Sequence, residues 1–493
     1  MRAGKTPVRA TLQDDAIVIA AAALPLSLYL LREHAIAGAA GLPLDDPWIH
    51  LHFARNIAEG AGFSYNPGTP VAGSTAPLWT LLLAATVAVA GARLWVVKAL
   101  GIACTLAAAL VTRRLTLALG GERGGARVAG VALVWAGPVA WGALSGMEVS
   151  LAALLVAAAL LAHARDRTWW TGVLAALAVL ARPEAALLVP LLLIARPVTL
   201  GRLAIFVGVT AVVLAPAVWF SLATSGTAVP ATAAAKIEGG LLGWLGGTRE
   251  PLKRALFGRP WQFMTGWIGW LWLTHWFLPV LLLPILALTW WRGGRAWIWP
   301  AAALAAHPLA MALLAPFRGP NFQEGRYSIH LLPLALALLW GLAARRGVVL
   351  RVFYLTVALW LLWPASARYA WAVQNINAMQ VHIGHWVDLH TPKAARLAVN
   401  DIGAIAFVSR RPVIDLMGLV TPEIRPYRRE GESGVIRYVE ETCPEYLIIF
   451  PAWFPRLSAM PARYRAVYSV RLEHNLVAGA DTMVVYERLR CAV

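Results

Sequence analysis

Charge is scarce in this sequence, and acid scarcer still. Asp, Glu, Lys and Arg together are 14% of 493 residues, with 25 acids against 43 Lys and Arg. Soluble globular chains carry about 25% charged residues, so this composition excludes an ordinary water-soluble domain and points to lipid as solvent. Cysteine is also scarce. Cys104 lies in an apolar run, while Cys443 and Cys491 either pair outside the membrane or remain two free thiols. No internal repeat or low-complexity segment stands out beyond richness in Ala and Leu. A transporter or flippase for a lipid-linked substrate would show mirrored halves and intramembrane polar residues. The missing inverted repeat counts against that reading, which stays as the alternative. A structural membrane protein with an outer binding domain would use the clustered first-loop acids only as helix caps.

What the chain does have is 59% hydrophobic residues, 24 Trp and a formal net charge of +18. Several Trp stand at the ends of apolar runs, as indoles at a membrane interface do: Trp95, Trp169, Trp170, Trp267, Trp290 and Trp297. Most basic residues fall in short loops between those runs. That pattern sets topology and needs no nucleic acid. Arg2, Lys5 and Arg9 followed by Ile17–Leu31 resemble a signal peptide, but so many runs follow that an uncleaved first span is the better reading.

The candidate runs are 16–31, 75–90, 94–111, 128–144, 149–162, 169–181, 185–194, 203–222, 267–290, 297–314, 329–342 and 348–363. Run 75–90 decides the topology. If it lies along the outer surface, Arg113, Arg114, Arg123, Arg127, Arg165, Arg167, Arg196, Arg202, Arg292, Arg295, Arg345 and Arg346 all fall inside; if it crosses, they fall outside. The positive-inside rule selects the surface reading. About eleven helices then span, the N-terminus is cytoplasmic, and everything after Trp363 is extracytoplasmic. Region 169–194 is expected to be a hairpin of short helices with Arg182, Pro183 and Glu184 at its tip.

Two domains follow: a transmembrane domain over 1–366, with its first outer loop at 32–93, and an outer domain over 367–493. In the tail charge rises, and 396–399, 412–416, 446–450, 464–470 and 482–486 read as strands between helical or turn segments, a small α/β domain.

In the first loop, Asp46 before Pro47 is a helix N-cap pattern, and Ile49, Phe53 and Ile57 would lay that helix on the membrane surface. One Asp is enough for a cap, so the adjacent Asp45 leaves a functional acid pair open. Glu148 begins a helix, where the dipole alone would stabilise it. Arg326 can be an interfacial anchor, Lys236 a solvated loop lysine, and Arg182 with Glu184 a pair at a bend. His382, His385, Asp388 and His390 have no recognised metal-ligand spacing, and Asp401 and Asp415 end strands where turns form.

The string Asp45-Asp46-Pro47-Trp48-Ile49, then Phe53-Ala54-Arg55-Asn56-Ile57-Ala58-Glu59-Gly60, Tyr65-Asn66-Pro67-Gly68 and Val71-Ala72-Gly73-Ser74-Thr75-Ala76-Pro77-Leu78-Trp79 resembles the first-loop signature of the GT-C glycosyltransferases. It is similar in particular to the actinobacterial terminal arabinofuranosyltransferases and their relatives. Further matches run in order along nearly the whole chain: Ser145-Gly146-Met147-Glu148, Ala181-Arg182-Pro183-Glu184, Val229-Pro230-Ala231-Thr232 with Ala235-Lys236, Gly325-Arg326-Tyr327, Asn400 to Ile405 and Val413 to Val420. Ala231 departs from the family, which usually has Asn there.

The resemblance implies an inverting transferase in a bacterial cytoplasmic membrane. It would move a sugar from a polyprenyl-phosphate donor to a hydroxyl of a glycan, lipid or protein acceptor on the outer face. It makes Asp46, then Asp45, the catalytic acids, and gives Glu148, Lys236, Arg326, Tyr327 and Asp401 substrate roles. A divalent cation held by Asp45, Asp46 or Glu148 stays open as cofactor.

Overall fold

The computed structural model describes residues 8–237, 239–275, 278–343 and 347–491, so Arg2, Lys5, Arg345 and Arg346 lie outside the described residues. The protein is a polytopic helical membrane protein with a small C-terminal sheet domain. Helix α1 (Val8–Ala37) is followed by α2 (Asp46–Ala58), α3 (Pro77–Ala90), α4 (Leu94–Ala118), α5 (Arg123–Val134), α6 (Gly137–Leu144), α7 (Val149–Ala164) and α8 (Thr168–Ala181). Next come α9 (Leu188–Ile194), α10 (Leu200–Ser225), α11 (Ala231–Lys236), α12 (Gly240–Leu245), α13 (Arg259–Thr274), α14 (Leu278–Leu288) and α15 (Arg295–Leu314). After the short α16 (Phe322–Gly325), α17 (Leu332–Leu338) leads into α18 (Val348–Ile376) and α19 (His382–His390).

Among the described residues six helices are long and apolar enough to cross a membrane, or eight if each of two bent pairs is one span. Four shorter apolar helices remain, so eleven crossings would need three of those four as well. The bent pairs have local causes. Run 128–144 breaks by 57° between α5 and α6, where Gly137 and Pro138 open the second helix. Run 267–290, expected as one span, is two helices meeting at 114°. Pro279 would clash with the carbonyl of His275 in a continuous helix, and His275 is already out of helical geometry (φ −146°, ψ 66°). Between α8 and α9 the chain leaves the helix at Arg182, then makes a turn of 3-10 helix over Pro183–Leu187.

The sheet order is β2-β1-β3-β5-β4, with β1 (Leu397–Val399), β2 (Val413–Asp415), β3 (Tyr446–Ile449), β4 (Tyr464–Arg471) and β5 (Thr482–Arg488). Strand β1 runs parallel to β2 and β3, while β5 runs antiparallel to β3 and β4. Alternation along the strands splits two cores. Ala398, Leu447, Ile449 and Val484 face Val435 and Val439 of the helix α22 that follows α20 (Gly403–Ser409) and α21 (Arg425–Arg428) and spans Glu432–Thr442. Leu397, Val399, Ile448 and Val485 face the other way, onto Ile383, Ile405, Ile49, Phe53, Tyr65 and Val71.

The first loop therefore belongs to the core of the sheet domain. Helix α2 does not lie on the membrane surface as its spacing suggests, because residues 47–56 are all buried. Its Ile49 and Phe53 are claimed by the sheet domain instead. The expected boundary at 366/367 falls within the continuous α18. Cys443 and Cys491 are joined, with Cα atoms 5.8 Å apart, and pin the last strand to the end of α22.

Candidate active site

Asp46 and Pro47 open α2, and neither acid caps the helix: Asp45 occupies the cap position without a side-chain cap bond. The two carboxylates turn to opposite partners. Asp45 accepts from the backbone N–H of Gly403 at 2.6 Å and of Ala404 at 2.8 Å. It thereby caps α20 of the sheet domain and locks that domain onto the loop. Gly403 must be glycine, since a Cβ there would sit 2.1 Å from the Asp45 carbonyl oxygen.

Asp46 faces the bundle. Its Oδ2 accepts from Arg326 Nη1 at 2.7 Å and from Lys236 Nζ at 3.3 Å. One turn further along α2, His50 Nε2 stands 3.5 Å from Glu148 Oε2. Its Nδ1 is held by Thr80 Oγ1 at 3.0 Å, with Ser74 Oγ at 3.3 Å. Glu148 is not spent on its own helix either, since it makes no cap bond and pairs tightly with Arg182. Arg182 lies 4.6 Å over the Tyr327 ring and Arg326 5.0 Å from the same ring, so one phenol spaces two guanidinium groups. Arg326 Nη2 also donates to Tyr327 Oη at 3.0 Å.

Burial alone would raise the Asp46 carboxyl, but the charges and hydrogen bonds of Lys236 and Arg326 outweigh it and hold the group well below the usual carboxylate range. Glu148 follows the same logic: burial opposes, and Arg182 and His50 bring it down to about 2. Asp45 goes the other way, raised by burial and by the charge of Asp401 despite its two backbone donors. Asp401 is itself pushed up to about 6, first by burial, with the Asp46 charge adding and a bond from Gln380 opposing.

Asp46, Glu148, Lys236, Arg326 and Tyr327 all line one cavity of about 460 Å³. Asp45 and Asp401 do not line it; they sit at the joint between loop and sheet domain. The three carboxylates considered for a cation are not assembled as one ligand set. Among the described residues no three His, Cys, Asp or Glu side chains converge for a metal. His50, Arg182, Glu184 and His307 add to the polar side of the cavity, and an apolar wall of Leu187, Pro190, Leu242, Met311 and Leu314 completes it. This combination suits an amphiphile with an anionic head.

Sequence reasoning missed His50 as a site residue and gave Arg182 a structural pairing with Glu184. That pair exists at 3.3 Å, but the cavity-side partner is Glu148. The Arg-Pro-Glu element was the available signal. Ala231 removes the usual polar group, yet the segment is still tied down: its N–H donates to Ala72 O at 2.9 Å, and Thr232 Oγ1 donates to Gly73 O at 2.5 Å. Asp415 is a turn residue, accepting from Met417 N and Val420 N. His382 and His390 are engaged by Tyr468 and by the Trp386 carbonyl.

The fold resembles that of GT-C membrane glycosyltransferases of solved structure. It matches the crystal structure of ArnT from Cupriavidus metallidurans in the apo state at a TM-score of 0.57 and 14% identity, over 94% of this chain and 97% of that one. ArnT bound to undecaprenyl phosphate matches at 0.53 and 15%, with the same coverage. The Archaeoglobus fulgidus oligosaccharyltransferase, tethered to an acceptor peptide, matches at 0.57 and 14%, over 95% of this chain and 74% of that one. Residues 372–486 match the family model of a domain of unknown function, DUF8728. No curated protein matches the sequence.

Proposed function

We propose that the protein is an inverting glycosyltransferase that takes its sugar from a polyprenyl-phosphate donor and passes it to an acceptor hydroxyl. The carrying observation is that one carboxylate oxygen, Asp46 Oδ2, is shared by Arg326 and Lys236 in a cavity that also has a broad apolar wall of Leu187, Pro190, Leu242, Met311 and Leu314. Asp46 sits where an anionic head would meet Arg326 and Lys236. A lipid phosphate arriving there would take over Arg326 and Lys236, and the freed carboxylate would regain basicity.

Asp46 then accepts the proton of the acceptor hydroxyl as its oxygen attacks the anomeric carbon. The bond from that carbon to the phosphate oxygen breaks, and the electron pair leaves with the lipid phosphate. Arg326 and Lys236 hold the charge that develops there. Tyr327 and the pair Arg182–Glu148 keep the Arg326 fork aimed into the cavity. Glu148 and His50 remain to meet sugar hydroxyls.

The acids, the cavity and the sheet domain share one end of the bundle. With the basic loops of the other end inside, this end is the outer face of a bacterial cytoplasmic membrane. A disulfide in the sheet domain supports that placement, since such bonds persist in oxidising compartments. Arabinofuranose is the first sugar to try, on the strength of the first-loop resemblance.

The test is transfer of labelled sugar from a panel of polyprenyl-phosphate sugars by purified protein. Transfer from one donor, lost in Asp46→Asn with folding intact, is the expected result. Failure with every donor and acceptor-containing membrane would overturn the reading and favour a flippase.

A further inference from the structure

Cations without an acidic partner, in a segment that joins apolar helices on the face opposite the basic loops, need a reason. Segment 239–261 carries Arg249, Lys253 and Arg254, all exposed and none in an ion pair among the described residues. The acid among them, Glu250, is already bound by Arg259 at 2.7 Å and by the Gly240 N–H at 2.8 Å. Interleaved with the cations are Trp244, Leu245, Leu252, Phe257 and Trp261, each more than half exposed. Water would not favour such a surface, whereas the headgroup boundary of a bilayer suits it.

Its height in the molecule agrees. Gly240 packs against Leu313, Leu314 and Pro316 at the end of α15, and Arg429 of the sheet domain donates to Gly246 O at 3.1 Å. From there the chain runs into α13, part of a bent helix pair long and apolar enough to cross a membrane, so the segment adjoins an apolar outer surface. Leu242 belongs to the same segment and lines the cavity.

We propose that residues 240–261 form an interfacial anchor that binds anionic phospholipid headgroups of the leaflet on the sheet-domain side, beside the cavity mouth. Arg249, Lys253 and Arg254 supply the phosphate contacts, and the exposed Trp, Leu and Phe side chains enter the acyl boundary. The inference does not depend on glycosyl transfer.

The experiment uses full-length protein in bilayers doped with spin-labelled phosphatidylglycerol or phosphatidylcholine, reading the immobilised fraction of each. Wild type should prefer phosphatidylglycerol, and 0.5 M salt should weaken the preference. Each charge is worth about fivefold in surface affinity, so Arg249→Gln, Lys253→Gln and Arg254→Gln together should reduce the preference between about fivefold and a hundredfold. The charge-conserving set Arg249→Lys, Lys253→Arg and Arg254→Lys should keep it. The single Lys253→Gln should give a graded loss, which preserves the test if the triple variant misfolds. Equal retention of both lipids by wild type, or a preference left unchanged by the triple neutralisation, would overturn the proposal. So would selective retention of undecaprenyl phosphate over phosphatidylglycerol, which would assign these residues to the carrier.

Discussion

Two clusters of buried charge stand at opposite ends of the helix bundle, built from the same residue types to different ends. Asp15 lies near the start of α1, and the helix runs about 33 Å from there to its end at Ala37 at ~1.5 Å per residue, enough to cross a bilayer core. At the Asp15 end, Arg113 is bound by Asp15 at 2.6 Å, Arg114 by Asp15 at 3.1 Å and Arg123 by Asp14 at 2.7 Å, with Arg113 and Arg127 within 3.7 Å of Asp14. None of these residues lines the cavity. At the far end Asp46, Glu148, Lys236, Arg182 and Arg326 surround 460 Å³ of space. The first cluster is closed on itself and ties α1 to α4 and α5. The second is held in tension around a volume that a ligand can fill. Pairing alone therefore does not distinguish structure from function; what the charges face does.

This contrast can be broken by substitution. The largest effect is expected at Asp46, where Asn should lower kcat by about 10²–10⁴, since a general base is lost, with a modest loss of thermal stability because Arg326 and Lys236 lose their shared anion. Stopped single-turnover transfer beside a melting curve checks both. Arg326→Gln should cost roughly 10²–10³ in turnover through loss of charge stabilisation at the leaving phosphate. At the opposite end Arg113→Met should do the reverse. Asp15 keeps Arg114 and Asp14 keeps Arg123, so losing Arg113 destabilises by about 1.5–3 kcal/mol, with turnover per folded molecule unchanged. If Arg113→Met instead lowered turnover without loss of stability, the division between a structural and a reacting end would fail. Smaller again is Asp45→Asn, which loses one of two backbone acceptor bonds at α20, about 1–2 kcal/mol, and a modest part of activity. A collapse of turnover matching that of Asp46→Asn would make the two acids a catalytic pair after all.

Adjacent residues with such different fates show how far the sequence could be read. All five strands were legible, because each is a short β-branched or aromatic run between turn residues, and the α/β reading of the tail followed. Asp45 and Asp46 were legible through the first-loop resemblance, and Glu148, Lys236 and Arg326 through the further matches along the chain. Which acid faces the cavity was not, because that depends on α20 arriving from a segment more than 350 residues away to claim Asp45. The burial of α2 was hidden for the same reason. Its Ile49, Phe53 and Ile57 pattern marks an apolar face but not the surface that covers it, and the sheet domain takes the place expected for lipid. The break at Pro279 was readable from local chemistry, since proline cannot continue a helix, but the run was long and apolar enough to mask it.

The finest test of the contrast lies behind the cavity, where Asp401 is raised to about 6 and stands with Asp45 at the joint between domains. A carboxyl of folded pKa about 6 and unfolded value near 3.8 holds its proton more tightly in the folded state. Its effect is absent below about pH 4, where both states are protonated. Stability then falls as pH rises toward about 6, and is flat above, where both are ionised. Asp401→Asn removes that penalty. The variant should match wild type near pH 4 and gain steadily to about pH 6, reaching on the order of 1 kcal/mol after allowance for partial exposure. Thermal unfolding in detergent across pH 4–8 measures it. Parallel curves would show that Asp401 ionises freely, and that Asp45 meets Gly403 and Ala404 without an acid neighbour to oppose it. A gain confined to this joint, with kcat unaltered, would place the division between holding and reacting groups within the one Asp45–Asp46 step of the chain.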